Sequence, residues 1–189
     1  MARKSDKRER LLDAAAEAFW VDGFAATSLA DIAERSGVPV GNIYYYFKTK
    51  AEIAEGVADI FINSSLQSLA DIDRTTQAPK EKLRAFIALL KESAEPRAKL
   101  GCPLANAIRD FSKDVPKAAD KTNEAFNTLI GWISQILNKS GDRRAIHHAR
   151  TAITRWQGAI VLAQGAGDPK ILVEALNELE ADLLLWAKA

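Results

Sequence analysis

The 189-residue chain has few of the residues that build disulfides, metal centres or membrane spans. Its single cysteine, Cys102, excludes an internal disulfide and fits a reducing compartment. The adjacent His147 and His148 have no cysteine or carboxylate at metal-ligand spacing, so we expect no metal or cofactor and predict that both rings face solvent or a dimer rim. No apolar run approaches the roughly 18–20 residues that a membrane span needs, so no membrane partner is expected.

An excess of charge of one sign is also missing. The 26 lysines and arginines against 25 acids give a formal net charge of +1, which by itself indicates no partner. Basic residues cluster locally in an N-terminal arm, namely Arg3, Lys4, Lys7, Arg8 and Arg10. This arm is charged and lacks the apolar core of a signal peptide, so we expect a cytoplasmic protein.

Apolar residues recur instead with the 3.6-residue period of helices, and alternating strand patterns are missing, which predicts an all-α protein. The predicted helices span 4–21, 29–36, 39–47, 49–73, 79–93, 103–111, 116–139, 143–164 and 169–188, and 95–101 is predicted to be irregular. Three short helices precede residue 51 and longer ones follow, so we predict two domains, 1–50 and 51–189. The first buries little core alone and is expected to lean on the second through the fourth helix.

Capping residues support several of these boundaries. Ser28 with Asp31 forms a cap pair before the second helix, and Gly37 ends that helix. Thr49 to Glu52 has the pattern of a capping box. Asp168 followed by proline predicts the start of the last helix.

The second and third helices are separated by the tight turn 36–38, which is the spacing of a helix-turn-helix whose second helix enters the DNA major groove. Ile32, Val38, Ile43 and Phe47 are expected to fix the angle between the two helices. Two short helices joined by a glycine also occur in many all-α proteins. A scaffold that binds a protein partner through this aromatic helix therefore stays an alternative.

The residues themselves favour DNA binding, because residues 7–57 resemble the N-terminal domain of TetR-family bacterial transcriptional repressors. The resemblance rests on Arg-Leu-Leu-Asp-Ala-Ala at 10–15, Phe19, Gly23-Phe24, Ala26-Thr-Ser28, Asp31-Ile-Ala-Glu-Arg-Ser-Gly-Val38, Gly41-Asn-Ile-Tyr-Tyr-Tyr-Phe47, Lys50 and Glu52. It implies a helix-turn-helix DNA-binding domain at 1–50 and a helical ligand-binding and dimerisation domain at 51–189. The protein would be no enzyme but a repressor that binds a near-palindromic operator as a homodimer.

The resemblance also implies which residues meet DNA. The groove-facing and phosphate-contacting positions are Thr27, Ser28, Val40, Gly41, Asn42, Tyr44, Tyr45, Tyr46, Lys48 and Lys50. Asn42 has the geometry to pair with adenine, and Val40 and Tyr45 to touch thymine methyl groups. Tyr46 is either a phosphate contact or a packing ring at the domain edge. Position 40 is often polar or charged in this family, so valine there puts guanine reading in doubt.

In the second domain the family keeps a pocket for a small inducer. Candidate lining residues are Phe86, Leu90, Cys102, Leu104, Ile108, Phe111, Phe126 and Trp132, which suit an apolar ligand. The candidate dimer interface is Ile153, Trp156, Ile160, Leu172, Leu176, Leu179 and Leu183. The alternative for both sets is that they form the ordinary core of one chain.

Cys102 precedes Pro103 and therefore lies at or near the start of a helix, close to Arg97 and Lys99. Gly-Cys with an asparagine four residues on resembles the branch of the family that contains the repressor of N-ethylmaleimide reductase. That resemblance implies a cysteine that senses electrophiles or oxidants. The alternative is a small buried residue at a kink in the chain.

Overall fold

The computed structural model describes residues 4–187, and every regular element in that range is helical, which confirms the predicted all-α class. The ten helices are α1 Lys4–Val21, α2 Leu29–Ser36, α3 Val40–Tyr46, α4 Lys50–Thr75, α5 Pro79–Glu92, α6 Ala94–Leu100, α7 Pro103–Asp114, α8 Pro116–Lys139, α9 Ala145–Ala166 and α10 Pro169–Trp186. Lys188, the predicted end of the last helix, lies outside the described residues. None of the described helices combines the length and the apolar character that crossing a membrane takes.

The predicted caps of α2 and α10 are confirmed. The Ser28 hydroxyl accepts the Asp31 N–H at 3.2 Å, and the Asp31 carboxylate accepts the Ser28 N–H at 2.7 Å. This bond to the Ser28 N–H holds the pKa of the Asp31 carboxyl below its usual value. Gly37 ends α2 at φ 63°, where a side chain would be strained. At the start of α10 the Asp168 carboxylate accepts the Lys170 N–H at 2.9 Å.

Only one of the two hydrogen bonds of the predicted capping box before α4 is present. The Thr49 hydroxyl accepts the Glu52 N–H at 3.1 Å, as a capping box requires. The Glu52 carboxylate, however, reaches one residue further back and accepts the N–H of Lys48 at 2.8 Å. Glu52 therefore ties the end of the turn after α3 to the first turn of α4.

The prediction that 95–101 is irregular is wrong, because this segment contains the helix α6. Pro96 is the third residue of α6, and an N–H in the first turn has no partner within its helix, so the proline removes no helical hydrogen bond. Gly101 ends α6 at φ 78°. The apparent break is a tight junction between three consecutive helices.

The contacts between residues divide the chain into two compact units. The first contains the chain up to Ser64 together with Pro103–Ala125, and the second contains Ser65–Cys102 together with the chain from Phe126 onward. Each of the helices α4 and α8 gives its first half to one unit and its second half to the other. The functional boundary near residue 50 stays a prediction.

The core of the first unit joins the helix-turn-helix to α7. Phe19 of α1, Phe24 of the following loop and Phe111 of α7 are buried and meet edge to face, with ring centroids 5.1–5.9 Å apart. The Asp110 carboxylate also accepts the backbone N–H of Phe24 at 3.3 Å. The loop that leads into α2 is therefore held by α7 through both apolar and polar contacts.

The second unit is built around the hairpin of α9 and α10, which are joined by the two residues Gly167 and Asp168. Helix α10 packs along α9 and also against α5 and α6, while α6 packs against α9. The buried residues of α10 recur at helical spacing and face these neighbours, namely Leu172, Leu176, Leu179 and Leu183.

Candidate nucleic-acid interface

The turn between α2 and α3 is fixed by hydrogen bonds from several directions. The N–H of Val38 donates to the Ala33 carbonyl and to the Ser36 hydroxyl, both at 3.2 Å. The Arg10 guanidinium donates to the Ser36 carbonyl. Arg10 lies on α1 and belongs to both the predicted basic arm and the family motif at 10–15, and its hydrogen bond joins α1 to the last residue of α2.

Helix α3 divides into a buried and an exposed face as the sequence predicts. Ile43 and the following Phe47 are buried in the core of the first unit, together with Val38 of the turn. On the other side Val40, Tyr44 and Tyr45 are 46%, 54% and 61% exposed, and Gly41 and Asn42 are exposed as well. A helix with two amphipathic rings, an amide and a β-branched residue on its open face suits the major groove.

Tyr46 belongs with the packing residues more than with the exposed face. It is half-buried against the core, and its ring meets that of Tyr45 edge to face at 5.0 Å between centroids. Of the two interpretations that the sequence left open, the position of this ring favours the packing ring at the domain edge. The contact also restricts the rotamers open to Tyr45.

Ser28 and Thr27, the two residues before α2, differ in their exposure to solvent. Ser28 is exposed at the helix N-terminus, where backbone N–H groups attract phosphate. Thr27 is only 2% exposed, because its hydroxyl donates to the Gly23 carbonyl at 2.8 Å. Thr27 therefore does not present its hydroxyl to a phosphate in this conformation.

The two lysines after α3 also differ. The ammonium of Lys48 is exposed and donates to the Tyr44 carbonyl at 2.8 Å, at the end of the exposed face. The ammonium of Lys50 donates to the carbonyl of Phe24 and lies 4.4 Å from the centre of its ring. Partial burial lowers the pKa of Lys50 from its usual value. Lys50 thus connects the start of α4 to the loop before α2.

Two further cations near the helix-turn-helix, Arg35 and Arg8, are engaged in internal contacts. Arg35 forms an ion pair with Asp22, so it braces α2 against the end of α1. The Arg8 guanidinium lies 5.2 Å from the centre of the Phe47 ring. Arg3 of the predicted basic arm lies outside the described residues.

The predicted inducer-pocket residues fall in both units. Leu104, Ile108 and Phe111 belong to the first unit. Phe86, Leu90, Cys102, Phe126 and Trp132 belong to the second, where the rings of Phe86 and Trp132 lie 5.7 Å apart. Trp132 is half-buried and lines two adjoining surface recesses, and its indole N–H donates to Asp73 at 3.1 Å. Of the predicted residues, Trp132 alone lines these recesses, and Phe86 packs against it.

Cys102 lies beside a largely buried cation. The Arg97 guanidinium donates to the Ser93 hydroxyl at 2.8 Å and approaches the Cys102 sulfur at 3.6 Å, and it lies 5.1 Å from the centre of the Trp156 ring. Burial lowers the pKa of Arg97. Cys102 itself is buried, so a reagent reaches its thiol only after a local opening.

The seven predicted dimer-interface residues are all buried within one chain. They form the core between α9, α10 and their neighbours, which is the alternative that the sequence left open. The same two helices carry other apolar side chains that are open to solvent, with Val161, Leu162 and Leu185 65%, 66% and 73% exposed. The predicted residues therefore lie on the inner side of the hairpin, whereas these three side chains lie on its open side.

The histidines were expected to face solvent or a dimer rim, and of these the solvent-facing position is wrong for His148, which is half-buried. Its Nδ1 lies 2.6 Å from the Asp142 carboxylate, and its ring stacks on Trp186 with centroids 4.3 Å apart. His147 is exposed as predicted. His148 thus joins the start of α9 to the end of α10.

The all-helical fold and the exposed third helix are those of a helix-turn-helix protein. Residues 11–57 match the family profile described as bacterial regulatory proteins, tetR family. Residues 79–178 match the profile of the LmrA/YxaF-like transcriptional regulator C-terminal domain. The chain belongs to the TetR family of transcriptional regulators. Its relatives are regulators and not enzymes, which confirms the expectation from the sequence.

Curated relatives agree with this assignment. The chain is 32% identical over 167 residues to the regulator LmrA of Bacillus subtilis, covering 84% of this chain and 86% of LmrA. It is 31% identical over 96 residues to the repressor KstR2 of Mycolicibacterium smegmatis, covering 51% of this chain and 47% of KstR2. With the regulator TtgR of Pseudomonas putida it shares 44% identity over 54 residues, covering 29% of this chain and 26% of TtgR. The matches to KstR2 and TtgR thus span less than half the length of those relatives.

Solved structures share the fold. A TetR-family regulator from Streptomyces coelicolor aligns with a TM-score of 0.83 at 18% identity, covering 97% of each chain. The reduced form of NemR from Escherichia coli aligns with a TM-score of 0.76 at 18% identity, covering 92% of this chain and 95% of NemR. At such identities the likeness shows the fold alone. The resemblance to the N-ethylmaleimide reductase repressor branch is therefore supported only as fold, while the C-terminal profile is LmrA/YxaF-like.

Proposed function

We propose that this protein is a ligand-responsive repressor that binds a near-palindromic operator as a homodimer and leaves it when a small apolar or electrophilic inducer binds. The observation that carries the proposal is the division of α3 into a buried face and an exposed aromatic face. Rings on the solvent side of a short helix cost burial energy unless another surface covers them. The DNA major groove has the width and the chemistry to do so.

In the proposed complex α3 reads bases and its surroundings hold phosphates. Asn42 pairs with adenine through its amide, and Val40 and Tyr45 contact thymine methyl groups. Gly41 has open space beside it, which lets the DNA backbone approach closely. Ser28, Lys48 and the Tyr44 hydroxyl supply phosphate contacts, which position the helix. Thr27, Tyr46 and Lys50 fix the frame, because they are buried or half-buried, whereas Ser28 and Lys48 are exposed.

Inducer binding would act through a shift in population between two conformations of the dimer. Helix α4 has Asp73 near its end, where it accepts the hydrogen bond of Trp132. The helix begins at Lys50, which donates to a carbonyl of the loop before α2. A ligand that displaces the far end of α4 would therefore disturb the frame of α3. Reaction of Cys102 with an electrophile is the alternative trigger, because the Arg97 cation lies beside its sulfur.

The test begins by selecting the genomic DNA fragments that the protein retains and measuring their affinity by fluorescence anisotropy. Asn42→Ala and Tyr45→Ala should each weaken binding at least about fivefold, the size of one lost base contact of about 1–3 kcal/mol. Asn177→Ala, which changes an exposed asparagine of α10, is the matched control and should bind as the wild type does. Affinity should also fall steeply as salt rises.

Unchanged operator affinity in both α3 variants would overturn the assignment of α3 as the reader helix. Retention of no DNA at low salt, with the fold intact, would favour the alternative of a scaffold that binds a protein partner through its aromatic helix.

A further inference from the structure

Two surface recesses adjoin on the second unit and share three lining residues, Asp73, Trp132 and Gln135. The larger has a volume of about 410 Å³ and lies between the second halves of α4 and α8. The smaller has a volume of about 120 Å³ and extends towards the start of α5 and the end of α8. The larger volume is in the range of about 300–1,000 Å³ that is usual for small-molecule sites.

The walls of the larger recess are apolar on the α4 side. Leu66 is exposed at its rim, Leu69 is buried at its base, and Ala70 lies beside them. On the α8 side Gly131 leaves room next to the ring of Trp132, because nothing lies within 4 Å of the position its Cβ would take. This shape suits a flat ring that lies against an indole and aliphatic side chains.

Trp132 is held in place for such a contact. Its indole N–H donates to one oxygen of Asp73 at 3.1 Å, and Phe86 supports it from inside at 5.7 Å between ring centroids. Lys82 donates to the other oxygen of Asp73 at 2.6 Å. Each carboxylate oxygen thus accepts one hydrogen bond, and Asp73 positions the indole.

The smaller recess carries a net positive charge. One carboxylate, Asp73, stands against two ammonium groups, Lys82 and Lys139, which gives a net charge of +1. Lys82 is already paired with Asp73, whereas Lys139 is exposed at the end of α8. The amides of Gln77 and Gln135 belong to the same lining, and the Gln77 amide, which donates to the Asp73 carbonyl at 2.7 Å, keeps a second N–H. An anionic group would find complementary partners here.

We propose that the two recesses form one binding site for a flat aromatic ligand that carries an anionic group. The ring lies against Trp132 and Leu66, and the anion lies in the smaller recess beside Lys139. Binding at this site does not depend on the proposed function. Only its role as the inducer site does, because that role requires operator binding.

The test uses two fluorescent probes with the same ring system, the anionic 8-anilinonaphthalene-1-sulfonate and the uncharged N-phenyl-1-naphthylamine, titrated without DNA. The wild type should prefer the anionic probe, and Lys139→Met should reduce its affinity about threefold to fivefold, as expected for one partly exposed charge pair. The affinity for the uncharged probe should not change. Lys170→Met, on α10, is the matched control and should leave both affinities unchanged.

Two further variants test the ring contact. Trp132→Leu should weaken both probes, and Leu66→Glu, at the exposed rim, should selectively weaken the anionic one. If Lys139→Met acts no differently from Lys170→Met, or if Leu66→Glu leaves the anionic probe bound as before, the site is wrong. If the bound probe leaves the protein's affinity for the selected operator fragment unchanged, the site has no role in induction.

Discussion

Single residues in this protein set the geometry of larger parts, and Asp73 is the clearest case. It accepts hydrogen bonds from Lys82 of α5 and Trp132 of α8 while it lies near the end of α4. Its partial burial would raise the pKa of the carboxyl, but these two donors outweigh that effect, and the pKa lies below its usual value. Three helices of the second unit therefore meet at one ionised carboxylate.

Asp73→Asn should destabilise the protein at neutral pH, because it removes the ion pair with Lys82. A carboxyl whose pKa is lower in the folded state adds stability above its unfolded pKa of about 3.9, and this stability is lost as the pH falls through the folded value. The difference between wild type and variant should therefore shrink in acid. Asp73 is partly exposed, so we expect less than about 1 kcal/mol.

Urea unfolding followed by circular dichroism between pH 7 and pH 3 measures this difference. Asp71→Asn, which changes an exposed carboxylate two residues earlier, is the matched control and should cost less. A gap between Asp73→Asn and wild type that stays constant down to pH 3 would contradict the role given to Asp73.

The sequence predicted helix boundaries, which depend on residues close together along the chain. It did not predict side-chain environments, which depend on residues far apart in the sequence. Ser28, Asp31 and Gly37 fix both ends of α2 by local hydrogen bonds and backbone conformation, so the sequence predicted that helix. The ring of His148 stacks on the distant Trp186, and Thr27 is buried although its hydroxyl bonds locally to the Gly23 carbonyl. Spacing in the sequence reveals neither. The environment of each side chain was therefore the weaker part of the prediction.

At the scale of elements, α7 packs with the helix-turn-helix. Phe111 touches both Phe19 and Phe24, and Asp110 holds the backbone of Phe24. The sequence assigned Phe111 to the inducer pocket because an aromatic residue on an amphipathic helix looks alike in a pocket and in a core. Its burial among these rings indicates that it holds the loop before α2.

Phe111→Ala should therefore destabilise the protein by about 3–5 kcal/mol, as expected when a fully buried aromatic side chain leaves a cavity. Phe126→Ala, which changes a half-buried ring of α8, is the matched control and should cost clearly less. Urea unfolding curves give both values. A loss below about 1 kcal/mol for Phe111→Ala would show that the neighbouring rings do not depend on it.

The hairpin of α9 and α10 shows what hydrophobic periodicity leaves undecided about a helix. The wide apolar stripes that suggested a dimer are real, but Trp156 and Leu176 fill the inner side within one chain. Periodicity shows that a face is buried and does not show which chain buries it. Only the packing of α9 on α10 separates the inner stripe from exposed residues such as Leu162.

At the scale of the whole molecule, the proposed repressor requires two chains. A single α3 exposes only five residues to the groove, and short reader helices usually act in pairs on half-sites one DNA turn apart. Exposed apolar side chains on α9 and α10 are the surface available for pairing. Because twofold symmetry duplicates every contact, one substitution changes the interface twice.

Leu162→Asp should therefore convert the dimer into monomers at micromolar concentration, since it places two carboxylates in an apolar contact. Leu89→Asp, on the exposed side of α5, is the matched control and should leave the assembly unchanged. Sedimentation velocity measures both. A wild type that sediments as a monomer at all concentrations, or a Leu162→Asp variant that stays dimeric, would contradict this surface.

The contacts of His148 with Asp142 and Trp186 connect the start of α9 to the end of α10. The short connection at Gly167 and Asp168 fixes one end of the α9–α10 pair, and the histidine fixes the other. A segment bounded in this way has no free end from which to fray. The pair should therefore open as one cooperative block, so that any partner bound to its outer side rests on a support that moves as a single body.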